Sequence, residues 1–260
     1  MRYLKLTIAY DGTDYVGWQV QDNGITVQQR LEEAWTRVTG ETTRITASGR
    51  TDSGVHALAQ VCSVATDSQL APQTLLRAIN AETPYDIAVL KVEEAIEGFH
   101  AIGDAIQKTY CYHVQYGRIQ DPLRLRTCWF VPGDIDLEAM KSAARFLIGE
   151  HDFASFEATG AERKTSVRNV KQLDIEPENF QGLPGLKLTI TANGFLYNMV
   201  RNIVGTLIRV GRGQNEVQWV EWVRDQKDRN KAGQTAPAHA LFLKEVVYPE
   251  QVLKKNTGSD

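Results

Sequence analysis

The chain has 260 residues, 42% hydrophobic and 23% charged, with a net charge of −3. That length suits one large domain or two modest lobes with a buried core, and no apolar run approaches the roughly 18–20 residues of a membrane helix. Cys62, Cys111 and Cys128 form no CxxC and are odd in number, which argues against a disulfide framework and for a reducing cytoplasm.

The opening run YLKLTIAY alternates, with Leu4, Leu6 and Ile8 on one strand face and no signal-peptide core. A turn at DGTDY follows. Thr26 then begins a helix, with Gln29 three residues on as the partner of a capping box. Val27, Leu31, Trp35 and Val38 recur at helical spacing, and Gly40 stops the helix. A strand is expected around TRITA (43–47). Next comes a compact loop, SGRTDSGVHALAQV (48–61), whose end ALAQVCSVA leaves as a strand. A helix near PQTLLRAINA and a strand near DIAVLKVEEA complete the first half.

Residues 100–106 read as a seam, giving an N-terminal lobe over 1–105 and a C-terminal lobe over 106–260. Beyond it KTYCYHVQYG alternates strictly, with Tyr110, Tyr112, Val114 and Tyr116 on one face. Asp136 caps a helix running to about Ile148. VKQLDIEP and LKLTITANG read as strands. YNMVRNIVGTLIRVG reads as a helix with Met199, Ile203, Leu207 and Val210 in an apolar stripe. Asn215 is expected to cap another helix carrying Val217, Val220 and Val223. LFLKEVVYP is a last strand, and KKNTGSD a frayed tail. Strands and helices are interspersed in both halves, which argues for an α+β fold with a mixed, largely antiparallel sheet flanked by helices.

Charge is uneven. Residues 1–105 carry 8 Lys and Arg against 14 Asp and Glu, and residues 106–260 carry 21 against 18. Basic residues gather at ERKTSVRNVK (162–171) and between Arg201 and Lys231, where phosphates could be met. The five histidines are scattered, with no metal-ligand spacing.

The loop at 48–61 sets Asp52 beside Arg50 and Thr51 between Gly49 and Gly54. The glycines permit a sharp turn, and Arg50 offers a planar donor to a carboxylate or phosphate. A turn aspartate bonding its own backbone would look the same in isolation. GRTDSGVHA, however, resembles the signature of the TruA family of tRNA pseudouridine synthases. Further stretches match that family in order: YDGTDYVGWQ (10–19), FHA (99–101), KTYCY (108–112), HDFASF (151–156), KTSVRNV (164–170), GFLYNMVRNIVGTLI (194–208) and TAPAHAL (235–241).

The resemblance implies the pseudouridine synthase fold, with two similar lobes around a cleft. It implies isomerisation of uridine to pseudouridine at positions 38, 39 and 40 of the tRNA anticodon stem-loop, by a homodimer without cofactor or catalytic metal. It places Asp52 on the catalytic aspartate, Tyr110 on the tyrosine that stacks on the target base, and Arg201 on the arginine that pairs with the aspartate. Arg50, Thr51, His56, Gln19, Lys108 and Arg168 lie in the matching stretches and are expected to contact substrate. The chain departs from the family pattern at Ile102, Cys111, Ala240 and Ser53, which leaves a silent tRNA-binding protein on the same fold as the alternative. A retaining glycosidase or nucleosidase would need a second carboxylate about 5 Å from Asp52, and no motif marks one.

Overall fold

The structure, a computed structural model, describes residues 1–160 and 164–254. Among them are ten β-strands and five α-helices, and every strand pairing but one given below is antiparallel. The chain divides into two compact units: Met1–Ile106 together with the chain from Leu243, and Gln107–Phe242. The stretch from Leu243, grouped with 106–260 in the sequence reading, thus belongs to the first unit. Residues 255–260 of the tail, and Glu162 and Arg163 of the first basic stretch, lie outside the described residues.

The first unit runs β1 (Arg2–Tyr10), α1 (Val27–Thr39), β2 (Thr46–Ala47), β3 (His56–Thr66), α2 (Pro72–Glu82) and β4 (Ile87–Ala95). β1 lies between β3 and β4, and Leu6 sits opposite Cys62 on one side and Val92 on the other. Leu4, Leu6 and Ile8 are fully buried, as the alternation predicts. The Thr26 side chain accepts the Gln29 N–H, and Gly40 ends α1 in the left-handed region at φ 76°. Only half of the capping box forms, because the Gln29 amide turns to Glu33, 2.9 Å away.

β2 is shorter than TRITA suggests. The Ile45 N–H donates to Glu32 Oε1 (2.9 Å) and its carbonyl accepts from Gln28 Nε2 (3.1 Å). Side chains of α1 take the backbone groups that a longer strand would have offered to β3. At β4 the register against β1 shifts between Thr7 and Ile8. Asn80 of α2 meets Val89 there, donating to its carbonyl at 2.8 Å and accepting its N–H at 2.7 Å.

The second unit runs β5 (Gln107–Gly117), β6 (Trp129–Pro132), α3 (Leu137–Ala144), β7 (Gly149–Asp152), β8 (Val167–Phe180), β9 (Leu183–Ala192), α4 (Met199–Gly211) and α5 (Trp219–Gln226). Its sheet order is β5-β9-β8-β7, with β6 parallel on β5. Tyr110 stands opposite Ile190 and Tyr112 opposite Leu188. β5 is buried on both faces, since Thr109, Cys111 and Gln115 are covered as well as the tyrosines. The Asp136 cap forms, accepting the Ala139 N–H at 2.9 Å.

α4 is buried nearly all round, with Asn202 and Thr206 as enclosed as Ile203 and Leu207. Asn215 does not cap α5. The helix starts at Trp219 after Gln218, and the Glu216 carbonyl accepts the Trp219 N–H at 3.1 Å, so a preceding turn takes that place. The last strand, β10 (Leu241–Val247), begins in the second unit and runs on into the first. The three cysteines are free thiols; burial pushes Cys62 well up and is the first cause that lifts Cys128 to about 12.

Candidate active site

In the first unit the Asp52 loop is built on the motif at residues 10–19. Trp18 donates its N–H to the Thr51 carbonyl at 3.0 Å. The preceding residue, Gly17, has φ +107°, and a Cβ there would lie 2.7 Å from the same carbonyl oxygen. Gly54 N–H and Ser53 Oγ–H both reach the Tyr15 carbonyl, at 3.4 and 3.2 Å. Ser53, one of the departures from the family pattern, thus adds a tie to the loop. Gly12 lets the segment pass close to Val55, since a Cβ would come 2.0 Å from its carbonyl oxygen.

Buried polar groups close the loop from beneath. Thr51 Oγ1 and Tyr10 Oη are 2.7 Å apart. Gln60 accepts from Ser48 Oγ at 2.6 Å and donates to the Gly49 carbonyl at 2.8 Å. His56 Nδ1 accepts the Gly12 N–H at 3.0 Å and lies 3.1 Å from Asp11 Oδ1. Thr51 and His56 are therefore interior, Asp52 and Gln19 half-buried, and Arg50 exposed. The Asp52 carbonyl accepts the Val55 N–H at 3.1 Å, which makes the turn itself.

Tyr110, Lys108, Arg168 and Arg201 lie in the second unit. Tyr110 is 9% exposed, and Phe195 meets its ring edge-on, 5.0 Å between centroids at 86°. Arg201 is half-buried on the first turn of α4. Its Nε donates to the Ala236 carbonyl and its Nη1 to Asn198 Oδ1, each at 2.7 Å. In return the Ala236 N–H donates to the Arg201 carbonyl at 3.1 Å. Tyr112 Oη–H donates to the Pro237 carbonyl at 2.8 Å. Burial pushes the Tyr112 phenol well up, and the Arg201 charge offsets part of that. Lys108 is pulled down to about 8 by burial. Arg168 donates to the carbonyls of Thr165 and Val167 at 2.9 and 2.7 Å.

The segment 229–237 is strapped to α4. Asn202 Oδ1 accepts from Arg229 Nη2 at 2.9 Å and from Thr235 Oγ1 at 2.7 Å, while its Nδ2 donates to the Phe156 carbonyl at 2.8 Å. Gly205 permits the close approach, because a Cβ there would lie 1.8 Å from the Gln234 carbonyl oxygen. Several arginines of the 201–231 run are thereby committed inside the unit. Arg209 lies over Trp219, Arg224 bonds the Phe146 carbonyl, and Arg229 bonds Asn202. Charge counting alone could not separate these from arginines free to meet phosphate. Ala240 and Cys111 are buried, while Ile102 is exposed in a turn. Gly17, Gln60, Asn198 and Asn202 each make or permit one of these contacts, and all but Gln60 lie in the quoted family stretches, without a predicted role.

Known proteins agree with the resemblance. A family model described as tRNA pseudouridine synthase matches residues 6–102 and 143–249. The tRNA pseudouridine synthase A of Pelobacter propionicus is 45% identical over 248 residues, 95% of this chain and 100% of that protein. The tRNA pseudouridine synthase A 2 of Clostridium perfringens is 43% identical over the same shares. The motifs, the mixed and largely antiparallel fold and the near full-length identity agree: the chain belongs to the tRNA pseudouridine synthase family.

Proposed function

We propose that this enzyme isomerises uridine to pseudouridine at positions 38, 39 and 40 of the tRNA anticodon stem-loop, with Asp52 as nucleophile, in a cytoplasmic homodimer. The observation that carries the reading is the Asp52 loop. One motif is spent on holding another, through glycine contacts and buried bonds that an ordinary turn aspartate does not need. Near full-length relatives named as tRNA pseudouridine synthases support the substrate class.

In the proposed reaction the N1–C1′ bond breaks as Asp52 engages the sugar. The uracil turns and rejoins through C5–C1′, and the proton leaving C5 is balanced by one gained at N1. Atoms and oxidation state balance, so the step calls for no redox cofactor. The uridine must leave its stack at a cost of a few kcal/mol. Stacking on Tyr110 would recover roughly 1–3 kcal/mol per base. The Tyr110 phenol is also the proposed late proton carrier. Arg201 is the proposed partner that favours the charged carboxylate against desolvation. Arg50, Gln19, Lys108 and Arg168 are proposed substrate contacts, with Thr51 and His56 supporting the loop from within.

The test is tritium release from tRNA labelled with 5-³H-uridine. Wild type should release label mapped to the anticodon arm, and Asp52→Asn should lose at least about 1000-fold in rate with an unchanged melting temperature. Full release by Asp52→Asn would remove the nucleophile assignment, and label lost from another arm would remove the positional one. Sedimentation of the enzyme checks the dimer.

A further inference from the structure

We infer that Asn198 is a positioning residue for Arg201, and that its job is to fix the guanidinium rather than to cap the helix. The inference rests on the proposed role of Arg201. Asn198 occupies the N-cap of α4, where an asparagine side chain ordinarily accepts an N–H of the first turn. Here it makes no capping bond. Its Oδ1 instead accepts Arg201 Nη1 at 2.7 Å, three residues on.

The backbone agrees. Asn198 has φ 59° and ψ 9°, the left-handed region that few residues other than glycine adopt without strain. It is one of three described non-glycine residues with positive φ, and the other two, Gln181 and Lys227, sit at a hairpin tip and a helix end. Asparagine tolerates this region while still offering a carbonyl oxygen. Glycine would adopt it more readily but offers nothing to Arg201.

With Ala236 on Nε and Asn198 on Nη1, the planar guanidinium is gripped at two of its donors, which sets both its plane and its direction. The same short turn carries Phe195 against the Tyr110 ring, so one segment orients two groups assigned to the reaction.

The test separates backbone from side chain. Asn198→Gly keeps the left-handed conformation and removes the acceptor. Asn198→Asp keeps an oxygen in the same place. For Asn198→Gly we expect a melting temperature within about 2 °C of wild type, KM within about 3-fold, and kcat for tritium release down about 10–100-fold, the scale of a misplaced catalytic group. Asn198→Asp should recover most of that kcat. A kcat for Asn198→Gly within 2-fold of wild type overturns the inference, as does an aspartate variant no better than the glycine one. Arg201→Gln, measured alongside, keeps the two readings apart. If it retains activity, the role of Arg201 falls; if it is inactive while Asn198→Gly is normal, only the positioning role falls.

Discussion

Replacing Gly17 by alanine would put a methyl group where the Asp52 loop passes. The new Cβ would lie 2.7 Å from the Thr51 carbonyl oxygen and 3.3 Å from the Asp52 carbonyl carbon. Ordinary contact starts near 3.4 Å, so the loop must retreat by about 0.7 Å. At φ +107° the alanine would also be strained wherever the loop went, at a cost of about 1–3 kcal/mol. Overpacking against backbone adds about 1–3 kcal/mol, and part of each relaxes with the other, so a net loss of about 2–4 kcal/mol is expected. For a chain of this size that lowers the melting temperature by roughly 4–8 °C.

The retreat also breaks the Trp18 N–H bond to Thr51 and shifts the residue beside it, Asp52. A displacement near 1 Å costs about 100-fold in rate. Scanning calorimetry and tritium release measure the two effects. Gly40→Ala is the control: its φ is +76° but nothing lies within 4 Å, so the left-handed backbone alone should cost about 1–2 kcal/mol and leave the rate unchanged. A Gly17→Ala protein with a melting temperature within 1 °C of wild type and a normal rate would refute this account of the loop.

Gly205→Ala, whose Cβ would meet the Gln234 carbonyl oxygen at 1.8 Å, should push the strap off α4 and lower stability by about 3 kcal/mol or more, read as a lowered denaturation midpoint. Burial depresses Lys108 to about 8, so the folded protein gives up that proton before the unfolded chain does. Its contribution therefore destabilises below pH 8 and is relieved as pH rises from about 8 towards the ordinary lysine value near 10.4. Melting curves of wild type and Lys108→Met, compared over that range, should converge or cross as pH rises, and a constant gap would contradict it. Affinity for tRNA should fall steeply with salt, and a flat log–log plot would argue against phosphate contacts.

Much of the first unit was legible because its signals are local. The Thr26 cap, the apolar spacing through Trp35 and the left-handed Gly40 lie within one helix and specify it without the rest of the fold. Alternation placed β1 and β5 correctly for the same reason. Asn215 failed as a cap because an Asn before an apolar run fits a turn as well as a helix start, and the chain makes the turn. Ile45 left the strand pattern because side chains from α1 took its backbone groups, a choice made 13 residues away.

The sequence by itself determined the family, through motifs in order, and with it the candidates Asp52, Tyr110 and Arg201. It also determined most helices and strands, since capping and periodicity act over one or two turns. Only the tertiary structure decided what the other motif residues are for. Gly17 has meaning because Thr51 passes it, Gly205 because Gln234 does, and Asn198 because its side chain turns to Arg201. Two of these are contacts between chain segments dozens of residues apart, and the third depends on which of two nearby bonds an asparagine makes. Spacing along the chain carries neither, because each is settled by where packing leaves a backbone oxygen or a guanidinium within reach.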